Sequence, residues 1–305
     1  MSAYSQPGLK NIGAIDPTSP GGQPVPPRIA DVPARSRRLI RCAEAILFIA
    51  QWMAFGWCAH LRPDDYLLAG VPLLIGFQVL VRKQPLVKLW VRDADRFRLN
   101  RFGVMIAVAF AVMPVIDAIR DGGHSWSRSL WYGACIFGAL GVGFSVSRFN
   151  RTTVKALYFC LATAGTIGIA LMILGALIKK HSLVPTPGRI IFCAHQFLLY
   201  FPVSFVLEEV VFRGALDSHV HQPGESRPYW SAFLVSALWG LWHLPILPFG
   251  DHKGALAYLI MGIGSVILIA PQGIFFSLGW RRSGNLAVPA FVHALVDAVR
   301  NTLLR

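Results

Sequence analysis

Two adjacent carboxylates, Glu208 and Glu209, lie inside an otherwise apolar stretch that reads Phe205-Val-Leu-Glu-Glu-Val-Val-Phe-Arg-Gly214. A charged side chain within a membrane span costs at least ~2.5–3.5 kcal/mol on insertion scales, so a pair of them needs a reason. On a helix Glu209 and Arg213 are i and i+4, share a face and can pair. Glu208 is rotated by ~100° from Glu209 and stands five residues from Arg213, which leaves it the less well paired acid. Such a carboxylate, in a low-dielectric setting beside a like charge, is suited to act as a general base. A salt bridge at a helix end accounts for Glu209 and Arg213 but leaves Glu208 without a purpose.

Two more places carry ionisable groups where apolar ones are expected. In Trp239-Gly-Leu-Trp-His243-Leu-Pro245 an indole and an imidazole are four residues apart, and His243 is the one ionisable residue between Ala232 and Phe249. In Phe291-Val-His293-Ala-Leu-Val-Asp297 the carboxylate stands i+4 from the imidazole and can orient it. Each has a plainer explanation, a core histidine in the first case and a packing pair in the second. Glu44 near Arg41 and Asp117 near Arg120 read as structural, and His195 as isolated. Taken together, two Glu, one Arg, two His and one Asp make a hydrolytic set: a carboxylate to activate water, imidazoles to move protons or hold a metal, and donors for an oxyanion. Serine-hydrolase and zincin chemistry lack their motifs, because neither a G-x-S-x-G elbow nor an H-E-x-x-H helix occurs.

The elements that must position this set are membrane helices. Of 305 residues 54% are hydrophobic and 14% charged, with a mean hydropathy of +0.52. Soluble domains carry about 25% charged residues. The formal charge of +14 suggests nucleic-acid binding, but the basic residues fall in short clusters between long apolar runs, which fits anionic headgroups instead. The expectation is an all-α polytopic bundle of about 8–9 spans. Against the ~20 apolar residues needed to cross a bilayer, nine candidates run roughly 39–60, 66–81, 102–119, 130–147, 156–178, 190–213, 230–249, 255–280 and 286–303, the second being short enough for a re-entrant hairpin. The connections 82–101, 148–155 and 281–285 are rich in Arg and Lys, which puts them and the N-terminus on the cytoplasmic side of a cell membrane, although 179–189 breaks the trend. Residues 1–38, with seven prolines and four glycines, read as a disordered tail and 39–180 as N-terminal spans; all three places that carry ionisable groups fall within 181–305. Cys42, Cys58, Cys135, Cys160 and Cys193 form no C-x-x-C pair and read as small buried hydrophobes. One tension follows from these spans. His243 stands ~18 Å of helical rise beyond Ser231, whereas Glu208 and His293 fall near the inner ends of their helices. A common cleft requires staggered helices, a kink near Pro245 or a later start.

E-E-x-x-x-R at 208–213, W-x-x-x-H at 239–243 and H-x-x-x-D at 293–297, in this order within spans, resemble the CPBP family. These are the CAAX-protease and bacteriocin-processing (Abi) intramembrane proteases, relatives of the type II CAAX prenyl endopeptidases. The resemblance covers roughly residues 190–300; Trp239 stands where the family most often has Phe, and Asp297 where Asn is frequent. It implies hydrolysis of a peptide bond in a membrane-associated or prenylated-type substrate, with water as nucleophile. Glu208 would be the base, helped by His243. His293 and Asp297 would face the developing oxyanion, and Glu209 and Arg213 would hold the geometry. Glu208, His243 and His293 also make a two-His, one-carboxylate zinc set, the metalloprotease version, and a metal-free glutamate mechanism stays open beside it. Expected partners are membrane lipids and a peptide or protein substrate, with no nucleic acid. The competing class is a transporter or scaffold that uses the acids for proton coupling or partner binding. It predicts paired acids in two homologous halves, and the sequence shows no such symmetry.

Overall fold

The computed structural model describes residues 34–122, 125–222, 228–247 and 254–304. The chain divides into two units, residues 1–39 and 40–305. Within the first, 1–33 lie outside the described residues, and 34–38, expected as part of the tail, are helical. The described residues form helices α1 (Ala34–Cys58), α2 (Pro63–Gly76), α3 (Arg101–Asp121), α4 (Trp126–Val146), α5 (Arg151–Cys160), α6 (Thr166–Ile178), α7 (Pro187–Ser204), α8 (Ser218–Val220), α9 (Pro228–Trp242), α10 (Ala255–Ser283) and α11 (Ala287–Leu303). Short π segments extend α2 and join α5 to α6, and a long one, Phe205–Asp217, joins α7 to α8. Among these residues there is no strand, only an isolated bridge between Val91 and Asn285. This is the all-α polytopic bundle.

Each of the nine sequence-based spans falls mainly on a helix, with 248–249 of the seventh outside the described residues; among the described residues seven runs are long and apolar enough to cross a membrane. The two that are not are α9, with 15 residues, and α11, with 17. His243 directly follows α9, and α11 carries His293, Asp297 and Arg300. Beside the expectation of about 8–9 spans stand seven runs that pass on length and composition and two helices whose described parts are shorter. The chain is a multi-pass membrane protein.

Local signals fix the ends. Asn100 and Asn150 cap α3 and α5 by accepting the backbone N–H of Gly103 and Thr153. Thr186 does the same for Arg189, with Pro187 in the first turn. Gly122 and Gly284 end α3 and α10 in the left-handed region, φ 60° and 59°, where a Cβ is strained. At one end of the bundle the three basic connections meet. Arg92 N–H donates to Gly284 O, Asn285 Nδ2 to Ser145 O, and Arg148 to Arg96 O. The charge clusters that the sequence grouped together do share one face.

Inside the bundle, small residues set the closest approaches, as is usual where lipid removes the hydrophobic drive between helices. A Cβ on Gly138 of α4 would lie 2.1 Å from Pro202 O of α7, and one on Gly214 would lie 2.4 Å from Leu89 O. An aromatic cluster of Trp52, Tyr66 and Trp242 ties α1 and α2 to the end of α9. Tyr66 donates its hydroxyl to the Trp242 carbonyl at 2.9 Å, one residue before His243.

Candidate active site

The run from α7 through the π segment to α8 is one 34-residue span, Pro187–Val220. It extends seven residues past the expected end at 213, so Glu208 lies well inside the helix rather than near its end. The described part of α9 begins at Pro228, and His243 follows fifteen residues later. Glu208 lies twelve residues before Val220, so the two reach comparable depth. The helix then gives way to a 3-10 turn, Leu244–Ile246, at Pro245. The tension in the sequence reading came from ending the glutamate helix too early.

Thirteen residues of π-helix are unusual, since π turns mostly occur singly and often at functional sites. Pro202, which has no N–H to donate, stands just upstream, and the register change begins at Phe205. The segment then presents its two acids to different surroundings. Glu209 is fully buried, with Oε2 3.4 Å from Arg213 Nε, and Arg213 is fully buried as well. The guanidinium donates to Gly273 O at 3.3 Å and lies over the Trp239 ring at 4.6 Å and the Phe276 ring at 5.2 Å. Arg213 Nη1 has no hydrogen-bond partner, so the pair is held mainly by charge and by the aromatic rings.

Glu208 faces a cavity of about 620 Å³, which Trp239, His243, His293 and Asp297 also line. Glu209 and Arg213 stand behind its wall. Glu208 Oε2 accepts from the Trp239 indole N–H at 3.1 Å. His293 Nδ1 meets Glu209 Oε1 at 2.8 Å, while its Nε2 lies 3.5 Å from Asp297 Oδ2 and 3.9 Å from Glu208 Oε2. The ring stacks on Phe276 at 5.6 Å and meets the Trp239 edge. His243 Nδ1 is 2.7 Å from the Trp239 carbonyl. A carbonyl only accepts, so Nδ1 carries the hydrogen and Nε2 of a neutral ring keeps its lone pair. All six sequence-derived residues thus come together, and both i, i+4 pairs form as spaced.

The donor types suit zinc. His293 Nδ1 is held by Glu209 while its Nε2 faces Asp297 and Glu208, and among the described residues no group of three or more His, Cys, Asp or Glu stands ready-formed around one metal position.

Three residues enter the site unannounced. Arg300 lines the cavity and pairs with Asp297 Oδ1 at 2.9 Å; its i+3 spacing was a legible signal. Gln272, a polar residue within the apolar α10, is buried beside the cavity with Nε2 unpartnered. Tyr66 acts from α2, through a contact that no local pattern encodes. Outside the site, one expectation needs correction: His195 is not isolated but pairs with Asp117 at 3.1 Å. Glu44, read as structural, meets His219 at 2.7 Å. Both contacts join helices far apart in sequence. All five cysteines are free; Cys135 and Cys160 are buried as expected, whereas Cys42 and Cys193 are half-buried and Cys58 is exposed.

Compared with known proteins, residues 191–299 match the family model described as type II CAAX prenyl endopeptidase Rce1-like. No curated protein and no solved structure gives a significant match. The matched stretch contains Glu208, Glu209, Arg213, Trp239, His243, His293 and Asp297, the residues that the geometry brings together. Residues 191–299 are therefore a domain of the Rce1-like type II CAAX prenyl endopeptidase family, a family of proteases.

Proposed function

We propose that this protein is an intramembrane endopeptidase that cuts a peptide bond in a membrane-associated or prenylated-type substrate, using water activated by Glu208. The observation that carries the reading is the division of labour between the two adjacent glutamates. Glu209 is buried with Arg213 and His293, whereas Glu208 opens on the cavity with a single hydrogen bond, from Trp239.

In this reading the substrate carbonyl enters the cavity between Glu208 and His293. Glu208 takes a proton from water as the water attacks, and His243, with its Nε2 lone pair, assists. His293 donates from Nε2 toward the developing oxyanion, held in place by Glu209 behind it. Ionised Asp297 only accepts hydrogen bonds, so its part is to orient His293, and Arg300 holds its other oxygen. The free N–H of Gln272 offers a further donor to substrate backbone. Proton return to the leaving amine completes the reaction. No step requires a metal, and none is routed through one. The basic end of the bundle faces the cytoplasm, following the positive-inside bias.

The test is the full chain, purified in detergent or nanodiscs, incubated with prenylated and unprenylated peptide libraries and read by mass spectrometry, with metal analysis of the same sample. Cleavage at an internal bond, by protein holding less than about a tenth of an equivalent of any transition metal, is the expected result. Absence of cleavage across both libraries contradicts the reading. Activity that tracks bound metal and is lost reversibly to chelators returns the zinc mechanism.

A further inference from the structure

A second cavity, of about 720 Å³, opens at the basic end of the bundle and shares no lining residue with the catalytic one. Its wall carries four fixed cations, Arg82, Lys88, Arg92 and Arg281, against two carboxylates, Asp93 and Asp217. Both carboxylates are already neutralised. Buried Asp217 takes two bonds from Arg281, at 2.6 and 2.9 Å, and exposed Asp93 lies 3.5 Å from Arg92.

Arg82 and Lys88 are left over. Arg82 donates to Gln78 Oε1 at 2.7 Å and Gly214 O at 2.9 Å, and Lys88 donates to Gln84 Oε1 at 3.3 Å. All three acceptors are neutral, so among the described residues the geometry is satisfied while the charge is not. Both side chains are half-buried, and burial lowers the Arg82 guanidinium to about 10. Holding an uncompensated charge in such a place is costly, and an entering anion offsets that cost. The polar wall and positive balance disfavour an apolar guest or a cation. A phosphoryl group fits the donors, because a guanidinium fork and a nearby ammonium match its oxygens.

We propose that this cavity is a binding site for a phosphate-bearing anion, held by Arg82 and Lys88. The site is independent of the peptidase reading, since it uses none of those residues. Two sources offer the same chemistry, a soluble phosphate and the headgroup of an anionic lipid, which is concentrated at this level of a bilayer.

The experiment takes the full chain through two arms. In detergent, inorganic phosphate is titrated against thermal unfolding. In nanodiscs of mixed phosphatidylglycerol and phosphatidylcholine, co-purifying lipid is counted by native mass spectrometry. A saturable rise in Tm with phosphate assigns the soluble source, enrichment of phosphatidylglycerol assigns the headgroup, and either supports the site. Lys88→Gln is expected to weaken the response about tenfold, and Arg82→Gln at least as much. Arg82→Gln also loses the tie to Gly214, so Lys88→Gln decides should the Arg82 variant fail to fold. Glu208→Gln, in the other cavity, is expected to bind like the wild type. No saturable response in either arm, or an undiminished one in Lys88→Gln, overturns the proposal.

Discussion

At the scale of single residues, neighbours one position apart do different work. Glu209 and Arg213 are both fully buried; removing Glu209 leaves Arg213 without its carboxylate, and removing Arg213 leaves Glu209 with His293 alone. Breaking such a pair costs about 3–5 kcal/mol. Arg213→Ala is therefore expected to lower thermal stability in detergent strongly, while Glu208→Ala, which removes a charge facing a cavity, leaves it near the wild-type value. Equal stability of the two variants would show that the acids are not divided as described. Much of this was legible. The i, i+4 spacings of Glu209 with Arg213 and of His293 with Asp297 announced contacts that form at 3.4 and 3.5 Å. What the spacing hid was the second partner of each group. Trp239 binding Glu208, and Glu209 binding His293, join residues 31 and 84 apart, and local periodicity carries no information at that range.

At the scale of elements, the apolar runs announced where helices stand, but not where the glutamate helix stops or how it is wound. The π segment and α8 keep the chain helical to Val220, past the expected end at 213. Its start is packed rather than free, because α4 comes against Pro202 through Gly138. A Cβ at Gly138 would sit 2.1 Å from that backbone carbonyl, which cannot swing aside as a side chain would. Gly138→Ala is expected to destabilise the protein by about 1–3 kcal/mol, the usual cost of overpacking. Gly175→Ala, where a Cβ meets nothing within 4 Å, serves as the control and is expected to be neutral or slightly stabilising. Thermal unfolding of the two variants side by side checks this; a neutral Gly138→Ala would mean that the contact is looser than described.

At the scale of the whole molecule, composition announced a membrane bundle, and helix lengths explain how it accommodates a polar site. Seven spans are long and apolar, whereas α9 and α11, which bring His243, His293 and Asp297, are shorter. Polar side chains in a bilayer persist where they face the bundle interior or a cavity, and the proposed catalytic set does both. Counting apolar residues made these two helices look like ordinary spans, because their ionisable groups are few and widely spaced. The central claim is that the cavity they enclose hydrolyses peptide bonds through Glu208. The most direct measurement is cleavage of a substrate peptide by purified Glu208→Ala and His243→Ala beside the wild type, at matched helical content and membrane insertion. The account predicts that both variants insert and fold normally and that cleavage is abolished in each. Cleavage retained by the Glu208→Ala protein would contradict it.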